Sequence, residues 1–118
     1  MALVWEQLVV DAADPVALGR WWASALGWVV VYDTPDEFEI RTDPETLPGL
    51  LFVQGVDQRI VKNRLHLDFR PADRDAEVDR LIGLGATRVD IGQGEQTWVI
   101  LADPEGNEFC VLRSPSAD

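Results

Sequence analysis

The alternation of apolar and polar residues predicts a strand, a helix and three further strands in the first half of the chain. A β-type run from Trp5 to Val10 precedes Asp14-Pro15. This pair suits a helix start, because the aspartate can accept hydrogen bonds from free N–H groups and proline fits the first helical position. Apolar residues then recur at helical spacing up to Gly27, which supplies a left-handed stop. The three strands that follow are predicted at Trp28 to Tyr32, Glu37 to Arg41 and Leu50 to Val56.

The second half of the sequence repeats this order. A strand from Arg64 to Arg70 precedes a helix that begins at Asp73 and ends at Gly85. Three more strands are predicted at Thr87 to Ile91, Gln96 to Ala102 and Glu108 to Arg113. Gln7 and His66 each lie seven residues before the aspartate that begins the next helix. The repeat predicts an α+β fold with two βαβββ modules, about residues 2–57 and 62–114, within one domain of residues 1–118.

The period-2 pattern of the strands separates a core side from a polar side. Leu65, Leu67 and Phe69 share one side of their strand, and His66 and Asp68 share the other. We expect the apolar sides to carry the helices and the polar sides to line a shared hollow, in a cup-shaped, eight-stranded mixed sheet with the helices outside. The candidate ligand-binding residues on the inner sides are Gln7, Asp11, Gln54, His66, Asp68, Glu108 and Cys110.

Charge and cysteine content exclude several classes of function. Of the 118 residues, 21 are acidic and 10 are basic, and a net charge of −11 disfavours binding to nucleic acid or to anionic membranes. The single cysteine, Cys110, excludes an intrachain disulfide and a cysteine-based zinc cluster. The N-terminus lacks the basic head and apolar run of a signal peptide, so we expect a cytoplasmic protein.

A set of motifs in order along the chain resembles the vicinal oxygen chelate superfamily, which includes glyoxalase I, extradiol dioxygenases and bleomycin-resistance proteins. In the first half the motifs are Asp14-Pro15, Trp21-Trp22 and Leu26-Gly27-Trp28. In the second half they are Lys62-Asn63-Arg64-Leu65-His66-Leu67-Asp68, Leu84-Gly85-Ala86 and Asp103-Pro104-Glu105-Gly106-Asn107-Glu108-Phe109. The chain is more narrowly similar to short glyoxalase-like domain proteins, and the resemblance implies the cup-shaped fold.

The resemblance also implies where a metal would bind. Metal-dependent members hold one divalent ion with side chains from the first, fourth, fifth and eighth strands, and these positions fall on Gln7, near Gln54, on His66 and on Cys110. Two neutral amides cannot compensate the charge of a dication, so no metal or other cofactor is expected. Should a divalent metal bind, Gln7, His66 and Glu108 are the expected ligands.

Three functions are considered, and the excess of acidic residues and the incomplete metal-ligand set favour the first. The first is a protein that binds a small organic molecule in the cup, as bleomycin-resistance proteins do. The second is a lyase, isomerase or dioxygenase that uses His66 either with a divalent metal or as a metal-free acid or base. The third is an interaction protein with a vestigial cup, and a homodimer is also left open.

Several residues also have plain structural interpretations. His66 could hydrogen-bond Asp68 or Asp11, and Cys110 is expected to be a small packed side chain. Residues 33–43 are interpreted as a solvated hairpin rim.

Overall fold

The computed structural model describes residues 4–55, 67–89 and 98–114, and the chain divides into two compact units, Met1–Gln58 and Arg59–Asp118. The elements of the first unit are β1 (Gln7–Ala12), α1 (Pro15–Leu26), β2 (Val29–Asp33), β3 (Glu37–Arg41) and β4 (Gly49–Gln54). Those of the second are β5 (Leu67–Phe69), α2 (Arg74–Leu84), β6 (Thr87–Arg88), β7 (Val99–Ala102) and β8 (Glu108–Val111). The predicted α+β order of a strand, a helix and three strands occurs once in each unit and is confirmed.

The two helices begin and end with the same local chemistry. The Asp14 carboxylate accepts a hydrogen bond from the backbone N–H of Ala17 at 3.1 Å, and Asp73 accepts one from Ala76 at 3.1 Å. Gly27 and Gly85 end the helices with φ angles of 70° and 117°, a region that side chains disfavour. The predicted starts and stops of both helices are therefore confirmed.

The first sheet has the strand order β1-β4-β3-β2, with β1 parallel to β4 and the other pairs antiparallel. One face of this sheet packs against α1, and Gly19 of the helix lies directly against the ring of Phe38 in β3. The buried side chains on this face and on the helix include Leu18, Trp22, Phe38, Ile40, Leu50 and Phe52. These residues form the core of the first unit.

The second sheet repeats this topology in the order β5-β8-β7-β6. Its strands β5 and β8 are parallel, as β1 and β4 are in the first sheet. Leu101, Phe109 and Val111 are buried on one face, and the rings of Phe69 and Phe109 pack edge to face with centroids 5.9 Å apart. On α2 the buried side chains are Val78 and Leu81. Phe109 and Val111 therefore lie on the core side of β8, opposite to Glu108 and Cys110.

Strand ends differ from the predictions where pairing stops. The first strand begins at Gln7 rather than Trp5, because its parallel partner β4 begins at Gly49, which is in register with Gln7. Residues 56–66 and 90–97 lie outside the described residues, so the predicted strand ends there are not tested. The same holds for His66 and for the prediction that His66 and Gln7 occupy equivalent places.

Candidate functional site

The face of the first sheet opposite α1, called here the open face, carries most of the predicted site residues of the first unit. Alternation along the strands and the register between them place its members side by side. These are Gln7, Val9, Asp11, Val29, Tyr32, Glu37, Glu39, Arg41, Gly49, Leu51 and Val53. Val9 and Tyr32 are each 50% exposed. The open face is thus accessible and combines apolar with polar side chains.

An ion pair lies on the open face at β3. The Arg41 Nε donates to Glu39 Oε2 at 2.8 Å, and the two side chains are only 20% and 12% exposed. Arg41 Nη1 also donates to the carbonyl oxygen of Pro44 at 3.0 Å, and Nη2 is 3.8 Å from Glu6 Oε2. The solvated rim interpreted for residues 33–43 is therefore wrong for β3, since Glu39 and Arg41 are largely covered.

The alternation of residues in β3 predicts the face on which this ion pair lies, although the run is rich in charged residues. Glu37-Phe38-Glu39-Ile40-Arg41 alternates strictly, and Phe38 and Ile40 are fully buried against α1. The charged residues must therefore share the other face. A run of charges interrupted by single apolar residues predicts a strand face rather than a solvated loop.

Gly49 of β4 leaves the space that the side chains of Glu39 and Arg41 occupy on the open face. A Cβ atom at residue 49 would lie 2.5 Å from Glu39 Oε2 and 3.2 Å from Arg41 Cγ, so both side chains lie across this glycine. Gln7 is in register with Gly49 on the neighbouring strand. The Gln7 side chain is half-buried and makes no hydrogen bond within the part of the chain that the structure describes. Gln7, Glu39 and Arg41 form what is called here the polar cluster.

Gln54 is not part of this arrangement. Gln54 lies two residues after Phe52 and four after Leu50 in β4, so it shares their side of the sheet, the α1 side, opposite to Gln7. Its Nε2 donates to the carbonyl oxygen of Ala13 at 2.9 Å. Asp11 does lie on the open face, where it is exposed.

In the second sheet the structure brings three predicted residues onto one face. Asp68 and Cys110 are in register on adjacent strands, and Glu108 lies two residues before Cys110 on the same side. This side is opposite to Phe109 and Val111, and Cys110 is half-buried between Asp68 and Ile100. The predicted catalytic residue, His66, lies outside the described residues.

The described residues do not fit the four-ligand metal site that the resemblance implies. Gln7 and Gln54 lie on opposite faces of one sheet, so they cannot hold the same ion. Among residues 4–55, 67–89 and 98–114, no three His, Cys, Asp or Glu side chains come together in a metal-binding group. No chemistry through a metal is therefore derived for this chain.

The sequence matches the family model described as "Glyoxalase-like domain" over residues 7–112. The chain belongs to the glyoxalase-like domain family. No curated protein matches it in sequence. In the described residues, no helix is both long enough and apolar enough to cross a membrane.

Solved structures share the fold at low sequence identity. A glyoxalase-related enzyme from Fulvimarina pelagi is 16% identical with a TM-score of 0.69, and the match covers 98% of this chain and 90% of that one. A glyoxalase/bleomycin resistance protein/dioxygenase family enzyme from Burkholderia phytofirmans PsJN is 16% identical, with a TM-score of 0.68 and coverage of 92% and 96%. An antibiotic binding protein from Streptomyces sp. CB03234 is 18% identical, with a TM-score of 0.67 and coverage of 97% and 98%. These likenesses show the fold of the chain.

Proposed function

We propose that this glyoxalase-like domain protein binds a small organic molecule against the open face of the first sheet. The observation that carries the proposal is the composition of that face. Exposed Val9 and Tyr32 lie beside a half-buried polar cluster in which the Gln7 amide has no partner among the described residues. Apolar surface with a few placed polar groups is typical of small-molecule sites.

Two further observations support a binding role. The antibiotic binding protein from Streptomyces has the same fold, which shows that the scaffold suits such a role. In the second sheet, Asp68, Glu108 and Cys110 share one face. We propose that Asp11 also contacts the ligand on the open face, and that His66, Asp68, Glu108 and Cys110 are ligand-binding residues of the second unit.

The alternative is a lyase, isomerase or dioxygenase that uses His66 as an acid or base. It depends on a residue outside the described part of the chain. In the described part, no contact favours a reaction over binding, so binding remains the proposed function.

A fragment screen read by amide NMR shifts tests the proposal, with native mass spectrometry of the protein as purified to detect a molecule already bound. We expect hits whose largest shifts lie in β1, β3 and β4. Hits confined to other surfaces, or an empty screen, would contradict binding at the open face.

Two neighbouring valines of β2 provide a matched pair of variants. Val29 and Val30 are 41% and 43% exposed, but Val29 is in register with Arg41 on the open face, whereas Val30 is in register with Ile40 on the α1 side. We expect Val29→Asp to weaken binding of the hits about tenfold or more and Val30→Asp to leave it within twofold, since only Val29 shares the ligand's face. Equal effects of the two variants would contradict the assignment of the face.

A further inference from the structure

We infer that the polar cluster of Gln7, Glu39 and Arg41 selects a ligand that carries a neutral carboxamide or lactam on a flat apolar body. The inference rests on the proposed function, since it names the chemistry of the ligand at the same open face. It follows from four features of the described residues: unused hydrogen-bonding capacity, charge balance, the apolar row beside the cluster and the glycine beneath it.

The first feature is hydrogen-bonding capacity that the described residues do not use. The Arg41 guanidinium donates to Glu39 Oε2 and to the Pro44 carbonyl, and 3.8 Å to Glu6 is too long for a hydrogen bond. A guanidinium has more N–H donors than these contacts employ. Among the described residues Glu39 Oε1 has no hydrogen-bond partner, and neither has the Gln7 amide. A donor and an acceptor therefore remain available side by side.

The second feature is the charge balance of the cluster. Glu39 and Arg41 neutralise each other, and both are largely covered. A ligand carboxylate would be repelled by Glu39 and Glu6, and a ligand ammonium would compete with Arg41 for Glu39. Either one would leave a partly buried charge without its partner, which is costly. A neutral group that both donates and accepts avoids this cost, because it binds the intact pair.

The third feature is the apolar surface that leads to the cluster. Leu51 is in register with Val9 on one side and with Glu39 on the other, and Tyr32 is in register with Glu39 on the next strand. An apolar row thus crosses the sheet and meets the carboxylate. A flat ring system lying on Val9 and Leu51 would direct its polar substituent at the cluster, with Tyr32 beyond it.

The fourth feature is Gly49, which allows the pair to lie across the sheet toward Gln7. A side chain at this position would collide with Glu39 Oε2. Gly49→Ala therefore displaces the pair without removing either charge. This variant therefore tests the position of the ion pair while both charged side chains are kept.

Four naphthalene probes that differ only in their polar group test the inference. They are naphthalene-2-carboxamide, 2-acetylnaphthalene, 2-naphthoate and 2-naphthylmethylammonium, which supply respectively donor with acceptor, acceptor alone, a negative charge and a positive charge. Affinities are measured by NMR titration of the full chain. We expect the carboxamide to bind about tenfold more tightly than each of the others.

Variants assign that preference to the cluster. Glu39→Gln and Gly49→Ala should each reduce the preference for the carboxamide over 2-acetylnaphthalene by about fivefold or more, with thermal melts to establish that both variants fold. Glu45→Gln, which removes an exposed carboxylate from the loop after β3, should leave the preference unchanged. If Glu39→Gln fails to fold, Gly49→Ala alone decides.

Each outcome bears on the inference separately from the proposed function. Four probes that bind within twofold of one another, or a preference that survives Gly49→Ala, would overturn the inference and leave binding at the open face intact. If none of the four probes binds, the inference is also wrong, and the fragment screen decides the proposed function independently.

Discussion

At the scale of single residues, Asp103 shows how a turn motif becomes a structural anchor. Its side chain is 4% exposed, and Oδ1 accepts hydrogen bonds from the backbone N–H groups of Glu105 and Asn107, each at 2.9 Å. The Asn107 side chain donates to both carboxylate oxygens. A buried carboxylate is tolerated here because backbone and side-chain donors surround it.

We predict that Asp103→Ala lowers the free energy of unfolding by about 2–4 kcal/mol, because it leaves these buried donors without an acceptor. Urea denaturation followed by tryptophan fluorescence measures the loss. Asp79→Ala removes an exposed aspartate from α2 and should cost less than about 0.5 kcal/mol. Similar losses for the two variants would show that Asp103 does not anchor the turn.

Interactions between residues close in the sequence, such as helix caps, were predictable from the sequence. Contacts between residues of different strands were not. The helix-capping aspartates and stop glycines act within a few residues of themselves, so a short sequence window is enough to identify them. The ion pair of Glu39 with Arg41 also lies within one strand, but its burial depends on Gly49 of another strand. No short window contains that information.

At the scale of elements, the packing of α1 on the first sheet depends on a glycine in the middle of the helix. A Cβ atom at residue 19 would overlap the ring of Phe38, which is fully buried and held in place by its neighbours. Gly83 is also helical, in α2, but a Cβ atom there would have nothing within 4 Å. The two glycines therefore differ in surroundings and not in secondary structure.

We predict opposite effects of the same substitution at these positions. Gly19→Ala should lower the free energy of unfolding by about 1–3 kcal/mol through overpacking. Gly83→Ala should raise it by up to about 1 kcal/mol, since alanine favours the helix. Thermal and urea unfolding of the two variants measure both changes. A stabilising Gly19→Ala would contradict the close approach of α1 to β3.

The order of the elements was predictable, because hydrophobic periodicity and turn residues can be recognised along the chain. The face of the sheet on which an individual residue lies was not always predictable. The resemblance places the fourth-strand ligand near Gln54, and this match rests on the order and spacing of motifs between elements. The parity of β4 decides otherwise, since Leu50 and Phe52 are buried against the α1 side and Gln54 continues their alternation. Counting between elements is less exact than alternation within one strand.

At the scale of the whole molecule, the resemblance implies a metal site that the described residues do not provide. Of the four positions that the resemblance implies, Gln7 and Gln54 lie on opposite faces of the first sheet, and the fourth is a half-buried thiol, Cys110. Neutral amides compensate a dication poorly even when they converge. Family membership and metal dependence are therefore separate questions for this chain.

We predict that the purified protein carries no stoichiometric transition metal and that a chelator leaves its melting temperature unchanged. Elemental analysis of tag-free protein and melts with and without EDTA measure these quantities. Glu108 shares a face with Cys110 and is the carboxylate expected among the metal ligands, so Glu108→Gln is the informative variant. About one zinc, nickel or iron per chain that is lost in Glu108→Gln would mean that a smaller ligand set, with Gln7, His66 and Glu108 as its expected members, suffices. The enzyme alternative would then be favoured over binding alone.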